Sequence, residues 1–166
     1  MASTDELLPK LYALLRARAS TLLAARDVSL SPDSLVHDVM LKLYRSDRDA
    51  WENEAHFRAV AARAMRHVII DHQRRRRAAK RDGERVDVSI SLLADDPSSP
   101  VDLFHLDRAL EELEAARPQV AEVVVLRVLG GLNHQEIADQ LDLSESTVKR
   151  YWRTGRAWLR SRLETP

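Results

Sequence analysis

Apolar residues in the first half of the chain recur at the three- and four-residue spacing of amphipathic helices. This spacing predicts three helices, over residues 5–25, 32–45 and 53–81. Ser31 followed by Pro32 gives the second helix an N-cap and a first-turn proline, a position where the missing N–H does no harm. The third helix contains neither Gly nor Pro, and its apolar stripe gives way to arginines beyond Gln73.

The second half of the chain shows the same spacing in four shorter stretches, over residues 102–116, 118–129, 134–141 and 145–163. Asn133, with Glu136 three residues later, has the pattern of a capping box, in which each residue satisfies a backbone N–H of the other. Ser144 is an N-cap for the last helix, and Asp142 and Leu143 form a short turn before it. These signals predict two closely coupled helices at the carboxyl end.

Helical spacing is lost between the two halves, in the stretch GERVDVSISLLADDPSSP that begins at Gly83. Turn-forming residues cluster there, which is typical of a flexible linker. The predicted fold is therefore all-α, with two small helical domains joined by that linker. The predicted boundaries are residues 1–82 for the first domain, 83–101 for the linker and 102–166 for the second domain.

The composition narrows the classes of function. With 45% hydrophobic and 31% charged residues, the chain has the profile of a helix-rich soluble protein. The absence of Cys excludes disulfides, thiolate zinc sites and cysteine nucleophiles, and it suits a reducing compartment. No signal peptide and no apolar run of about 18 residues is visible. We therefore expect a cytoplasmic protein without a membrane contact and without a cofactor.

Charge is segregated along the chain, although the 26 basic and 26 acidic residues cancel. One basic segment covers residues 63–85 and includes four consecutive arginines, Arg74 to Arg77. The other covers residues 143–163, where six basic residues stand against one acid, Glu145. Because local patches rather than totals set the local field, two contacts with nucleic acid are predicted despite the zero sum.

The last two helices have the parts of a helix-turn-helix, whose second helix enters the major groove of DNA. Apolar spacing places Val148, Trp152 and Leu159 in the core. The residues left facing outward, which can bond phosphates or base edges, are Ser146, Thr147, Lys149, Arg150 and Arg153. A solvated amphipathic helix is the alternative interpretation. Gly155 lies inside the helix, where glycine costs about 1 kcal/mol relative to alanine, and no sequence feature explains it.

Two longer patterns resemble a known family, the extracytoplasmic-function (ECF) sigma factors. Region 2 of that family is similar to LVHDVMLKLYR at 35–45 and to FRAVAARAMRHVIIDHQRRRRAAKR at 57–81. Region 4 is similar to residues 106–163, which include LNHQEIADQLDLSESTVKRYWRTGRAWLRSRL. Both modules stand in the family's order across the linker, so the resemblance covers nearly the whole chain.

The resemblance implies a promoter-specificity subunit of bacterial RNA polymerase that has no catalytic activity of its own. Region 2 would dock on the β′ coiled coil of the polymerase core through Leu35, His37, Asp38, Leu41 and Lys42. The end of the third helix would engage the −10 element of promoter DNA through His67, Asp71, Arg74, Arg75, Arg76 and Arg77. Region 4 would read the −35 element through its recognition helix and contact the β flap, with Val124, Leu126 and Leu129 as candidates.

The chain departs from the family pattern at the start of the docking helix, where an acidic residue is usual and Ser34 stands. This resembles a subgroup in which polar residues replace the acids. One hypothesis is that a Ser/Thr kinase phosphorylates Ser34, or Ser31, and adds about −1.5 to −2 charge that strengthens docking. Control by an anti-sigma factor is the alternative, and the sequence does not distinguish the two.

Three other functions fit parts of the sequence. A helix-turn-helix regulator that acts without being a polymerase subunit explains the second half, but it leaves the 35–45 segment and the long basic helix unexplained. A metal or enzyme site is suggested by His67 and Asp71, four residues apart with His72 adjacent, but the sequence places no third ligand there. An RNA-binding protein is disfavoured because the chain lacks the expected stacking aromatics.

Overall fold

The computed structural model describes residues 4–23, 30–45, 51–79, 87–89 and 100–163. Most of these residues lie in α1 (Thr4–Leu22), α2 (Pro32–Arg45), α3 (Glu54–Ala79), α4 (Leu103–Ala116), α5 (Pro118–Val128), α6 (His134–Leu141) and α7 (Glu145–Leu163). Two three-residue strands, β1 (Asp87–Ser89) and β2 (Pro100–Asp102), pair antiparallel. The all-α class is confirmed, and every predicted helix is present. None of the described helices has an apolar stretch that could cross a membrane.

Helices α1, α2 and α3 pack together through their apolar faces. Leu35, Val36 and Val39 of α2 are 0% exposed, and Phe57 and Met65 of α3 are 1% exposed. Burying such a side chain stabilises a fold by about 1.5–3 kcal/mol. The shared core therefore fixes α2 against α3, with the polar face of α2 turned outward.

Helix α5 lies at the centre of the carboxyl-terminal half. Seven of its eleven residues are buried: Val120, Ala121, Val123, Val124, Val125, Leu126 and Val128. A helix that is apolar around most of its circumference must be surrounded by other elements, and α5 packs against α3, α4, α6 and α7. The β-branched valines are weak helix formers, so tertiary packing stabilises this helix more than propensity does. The residues proposed for flap contact, Val124, Leu126 and Leu129, are at most 5% exposed here.

The segment predicted to be an irregular linker contains a short β-ladder. Its register pairs Asp87 with Asp102, and the two inner pairs follow at Val88 with Val101 and Ser89 with Pro100. Three residues are too few to show a period-two pattern, which is why the sequence did not predict these strands. The rest of the predicted linker lies outside the described residues, and its flexibility stays a prediction.

The two predicted domains touch each other. Helix α3 of the first half packs against α4, α5 and α6 of the second half. The buried side chains of both halves belong to one continuous apolar cluster. The domain boundaries stay a prediction, but the halves are joined by a packed interface as well as by the chain.

Gly155 is explained by the packing of α7 on α5. The residue is buried, and a Cβ built on it would overlap Val124 Cγ2 and lie 3.1 Å from Val120 Cγ1. Two helices that approach this closely leave no room for a side chain between them. The close contact therefore offsets the loss of about 1 kcal/mol in helix propensity that glycine brings.

We expect Gly155→Ala to destabilise the fold, although alanine is the better helix former. Overpacking costs about 1–3 kcal/mol, which outweighs a propensity gain of about 1 kcal/mol. Thermal unfolding should show a Tm lower by about 2–6 °C. Val124→Ala removes the methyl groups that the new Cβ would meet, so the double variant should lose less stability than the sum of the two single changes. Strictly additive losses would contradict the proposed contact.

Candidate nucleic-acid interface

Helices α6 and α7, with the short turn between them, form a helix-turn-helix. The predicted capping box is confirmed at the start of α6: the Glu136 N–H donates to Asn133 Oδ1, and the Asn133 N–H donates to Glu136 Oε2, each over 2.8 Å. Asp142 ends α6 with a φ of 52°, a left-handed conformation that aspartate tolerates better than most residues. The Thr147 N–H donates to Ser144 Oγ over 3.2 Å and so caps α7 as predicted. The turn is thus fixed by local hydrogen bonds on both sides.

The recognition helix α7 rests on buried side chains. Val148 and Leu159 are 0% exposed, as is Ile137 of α6, and Trp152 is half-buried against the same core. With this face inward, the residues predicted to contact DNA divide in two. Ser146, Lys149, Arg150 and Arg153 are exposed or half-buried at the surface, and Thr147 accepts a hydrogen bond from Ser144 Oγ over 2.8 Å.

Three cations dominate the outward face of α7. Lys149 Nζ lies 2.9 Å from Glu145 Oε1, with both side chains largely exposed. The Arg150 guanidinium lies 5.6 Å from the centroid of the Tyr151 ring, and Arg153 forms no ion pair within the described part of the chain. An exposed ion pair is worth about 0.2–1 kcal/mol. Lys149 can therefore exchange Glu145 for a phosphate or a base edge at little cost.

A second basic surface lies at the carboxyl end of α3. Its exposed members are His67, Asp71, Arg74 and Arg75, which helical spacing places on neighbouring turns of one side. Gln73, at 8% exposed, faces inward between them. Arg76 and Arg77 belong to α3, but nothing about their side chains is described. The structure thus brings four of the six residues predicted for the −10 element to one surface.

The α2 residues assigned to polymerase docking do not all reach the surface. His37, Leu41 and Lys42 are exposed and Asp38 is half-buried. Leu35 is 0% exposed, so it supports the helix from within. The accessible docking candidates therefore come from the polar face of α2 alone.

Sequence reasoning missed one residue of this face. Tyr44 is 61% exposed and lies one turn beyond Leu41, which is itself 41% exposed. A large apolar residue near the end of an amphipathic helix is ordinarily assigned to the core, and no pattern in the sequence separated Tyr44 from its buried neighbours. Lys42 Nζ lies 4.0 Å from Asp71 Oδ2, so this face is contiguous with the basic surface of α3.

The serines named for phosphorylation lie at the start of α2. Ser31 Oγ accepts the Ser34 N–H and donates to Ser34 Oγ, each over 3.1 Å, at an exposed position. The neighbouring Asp33 accepts the Arg16 Nε–H over 2.7 Å, and this hydrogen bond together with the guanidinium charge lowers the pKa of the carboxyl group. The carboxylate beside Ser34 is therefore already paired with α1.

His67 and Asp71 gain no third metal ligand among the described residues. Across those ranges, no three His, Asp or Glu side chains gather closely enough to hold a metal ion. The arginines that follow on α3 would also repel a cation. The described part of the chain thus gives the predicted metal alternative no support.

His134, the first residue of α6, lies among cations. Burial lowers the pKa of its imidazole, and the positive charges of Arg127 and Lys149 lower it further, against a smaller opposite effect of Glu145. The neutral imidazole is therefore favoured beside the recognition helix.

Comparison with known proteins gives matches over most of the chain. A protein-family model described as "ECF sigma factor" matches residues 1–165. The "ECF RNA polymerase sigma factor SigF" of Caulobacter vibrioides (strain NA1000 / CB15N) is 32% identical over 118 residues, which are 70% of this chain and 62% of that protein. The match thus spans less than two thirds of the relative's length. A solved co-crystal structure of the sigma factor RpoE with the anti-sigma factor NepR from Bartonella quintana is 20% identical, with a TM-score of 0.44, and covers 97% of this chain and 96% of that chain.

Acid should weaken the helix-turn-helix more in the natural chain than in a His134→Gln variant. The folded pKa of His134 lies below its unfolded value, so the unfolded state binds protons more readily, and stability falls as pH drops below about 6.5. The measurement is the Tm of both chains at pH 7.5 and pH 5. The natural chain should show the larger decrease, and equal decreases in the two chains would contradict this assignment.

Proposed function

Because the chain belongs to the ECF sigma factor family, we propose that it binds core RNA polymerase and directs promoter-specific initiation of transcription. In this role it has no catalytic activity of its own and acts in the cytoplasm, where the polymerase and the chromosome are found. The promoter DNA and the polymerase core are its two partners. The polymerase supplies the chemistry, and this chain supplies the choice of start site.

The observation that carries the proposal is the presence of two exposed basic surfaces on different elements. One is the outward face of α7 with Lys149, Arg150 and Arg153, and the other is the end of α3 with Arg74 and Arg75. Cations at the start of a recognition helix can bond guanine edges and phosphates, which suits reading of the −35 element. Arginines along the end of α3 suit backbone contacts at the −10 element. An operator-binding regulator needs only the first surface.

The α2 face supports the polymerase part of the proposal. His37, Leu41 and Lys42 are exposed beside Tyr44, so charged, polar and apolar groups are combined on one helix face. Aromatic and apolar side chains surrounded by polar ones are typical of protein contact surfaces. We propose this face, rather than the buried Leu35, as the contact with the β′ coiled coil. The buried Val124, Leu126 and Leu129 offer no comparable surface to the β flap.

Initiation in a purified system tests the function. Start sites that appear when the protein is overproduced would identify a promoter, and that promoter is then transcribed with core polymerase in the presence and absence of the protein. We expect specific transcripts only when the protein is added. Tight binding to the promoter without any association with core polymerase would instead establish the helix-turn-helix regulator.

Removing a cation from α7 should weaken DNA binding in a salt-dependent manner. For each phosphate that Arg150→Ala or Arg153→Ala leaves without its cation, the slope of log K against log salt should become shallower by about 0.9. The measurement is a titration of promoter DNA with the holoenzyme at several salt concentrations. Arg108→Ala is the matched control, because Arg108 is exposed on α4 and pairs with Glu112 within the same helix. An equal effect of all three changes would contradict the assignment to α7.

We further propose Ser34 as the site at which a Ser/Thr kinase regulates docking. A phosphate at the amino end of α2 would meet the positive end of the helix dipole and add about −1.5 to −2 charge beside the docking face. Ser34→Ala should lower transcription from the promoter in cells without changing the Tm, since Ser31 provides the N-cap. Ser31→Ala, by contrast, should cost about 0.5–2 kcal/mol through loss of that cap. Unchanged transcription in the Ser34→Ala strain would exclude this regulation and leave an anti-sigma factor as the candidate regulator.

A further inference from the structure

Three arginines on α3 join the two halves of the chain. Arg58 Nη2 lies 2.9 Å from Glu136 Oε2 on α6, and Arg63 Nε donates to Glu122 Oε1 on α5 over 2.6 Å. Arg66 Nη1 donates to an acid of α4, Glu114, over 3.1 Å. The side chains of Arg58 and Arg66 are only 19% and 15% exposed, so these pairs are screened less than pairs in open solvent.

Apolar side chains complete this interface but do not fill it. Ile69 and Ile70 of α3 face Leu110 and Val128 around a cavity of about 20 Å³. Atoms that line a void have no packing partner on that side, which weakens the interface. The junction between the halves is therefore partly polar and imperfectly packed, which is the character of an interface that can separate.

The β-ladder shortens the connection between the halves. Residues 80–102 separate the end of α3 at Ala79 from the start of α4 at Leu103. Because Asp87 pairs with Asp102, the ladder leaves only residues 80–87 to span the gap. Eight residues reach about 27 Å when fully extended, whereas 23 residues reach about 78 Å. Crossing from one strand to the other adds about 5 Å.

Promoter DNA demands a longer reach than the ladder allows. The elements named −10 and −35 lie about 25 base pairs apart, or about 85 Å at about 3.4 Å per step. DNA of this length is stiff, because its persistence length is about 150 base pairs. The residues proposed for the −10 element lie within the last turns of α3, and the full length of α7 can contribute about 28 Å on the other side. The connection must therefore span roughly 57 Å, which exceeds the roughly 32 Å available across the ladder.

We propose that the free chain is held in a closed form by the β1–β2 ladder together with the Arg58, Arg63 and Arg66 contacts, and that both must release before it engages the two promoter elements at once. This inference rests on the proposed function. A two-stranded ladder of three residues per strand is only marginally stable by itself, so the ladder and the interface support each other. Engagement of polymerase and DNA then supplies the free energy that separates the halves.

A reversible crosslink across the ladder tests the inference. The chain contains no Cys, so Val88→Cys with Val101→Cys introduces one pair of thiols at directly opposite positions. Opposite Cα atoms in an antiparallel pair lie about 4.5–5.5 Å apart, which suits a disulfide. We expect the oxidised protein to lose at least about tenfold in promoter-dependent initiation with core polymerase, and reduction to restore it. The two single-Cys variants control for oxidation itself.

Two results separate this inference from the proposed function. Oxidised protein that initiates as well as reduced protein would overturn the closed form and leave the sigma function intact. Reduced protein that never initiates with core polymerase would instead contradict the sigma function. Binding of a short duplex that carries only the −35 element is the folding control, and it should be equal in the oxidised and reduced states.

An exchange of charges tests the ionic contacts independently. Arg63→Glu should open the free chain, because it places two carboxylates opposite each other, and Arg63→Glu with Glu122→Arg should close it again. The readout is energy transfer between dyes on Ser20→Cys in α1 and Ala157→Cys in α7, both at exposed positions. We expect lower transfer in the single variant and recovery in the exchanged pair. Equal transfer in all three proteins would contradict a closed form that depends on these contacts.

Discussion

The guanidinium of Arg58 binds the helix-turn-helix at the point where its first helix begins. It donates to the carbonyl oxygens of Gly130 and Gly131 and to both carboxylate oxygens of Glu136. Glu136 is also the acid of the capping box that starts α6. One charged group of α3 therefore helps to set the entry angle of the DNA-reading unit, and charge-assisted hydrogen bonds of this kind are stronger than neutral ones. The position of α6 relative to α3, and of α7 behind it, follows from this contact.

Two more arginines bind the same turn. Arg18 Nε donates to the Leu129 carbonyl, and Arg127 Nη1 donates to the carbonyl of Leu132. These carbonyls follow the carboxyl end of α5, where cations are favoured by the helix dipole. Burial lowers the pKa of Arg18, and the neighbouring Arg127 and Arg58 charges lower it further. The carbonyl oxygens offset part of that repulsion, and the turn consequently connects α1, α3 and α5.

The zero net charge acquires a physical meaning from these contacts. Acids of the second half, among them Glu114, Glu122 and Glu136, neutralise arginines of α3 that lie before His67. The basic residues beyond that point on α3, and those on the outward face of α7, have little such compensation among the described residues. Compensated charges thus hold the halves together, while the uncompensated ones form the two surfaces proposed for DNA. The sum of charges hides this division, because it counts both kinds alike.

The sequence by itself determined the elements and their ends, since helical spacing, N-caps such as Asn133 and Ser144, and prolines act over a few residues. It also identified the residues of the recognition helix, because apolar spacing alone decides which side of α7 turns outward. The tertiary structure decided which basic residues are paired: Arg63 and Arg66 belong to the same basic segment as Arg74, yet their acids come from helices about 50 or more residues away along the chain. It likewise explained Gly155 and exposed Tyr44, because a close approach of two helices and the limits of a core depend on neighbours that are distant in sequence.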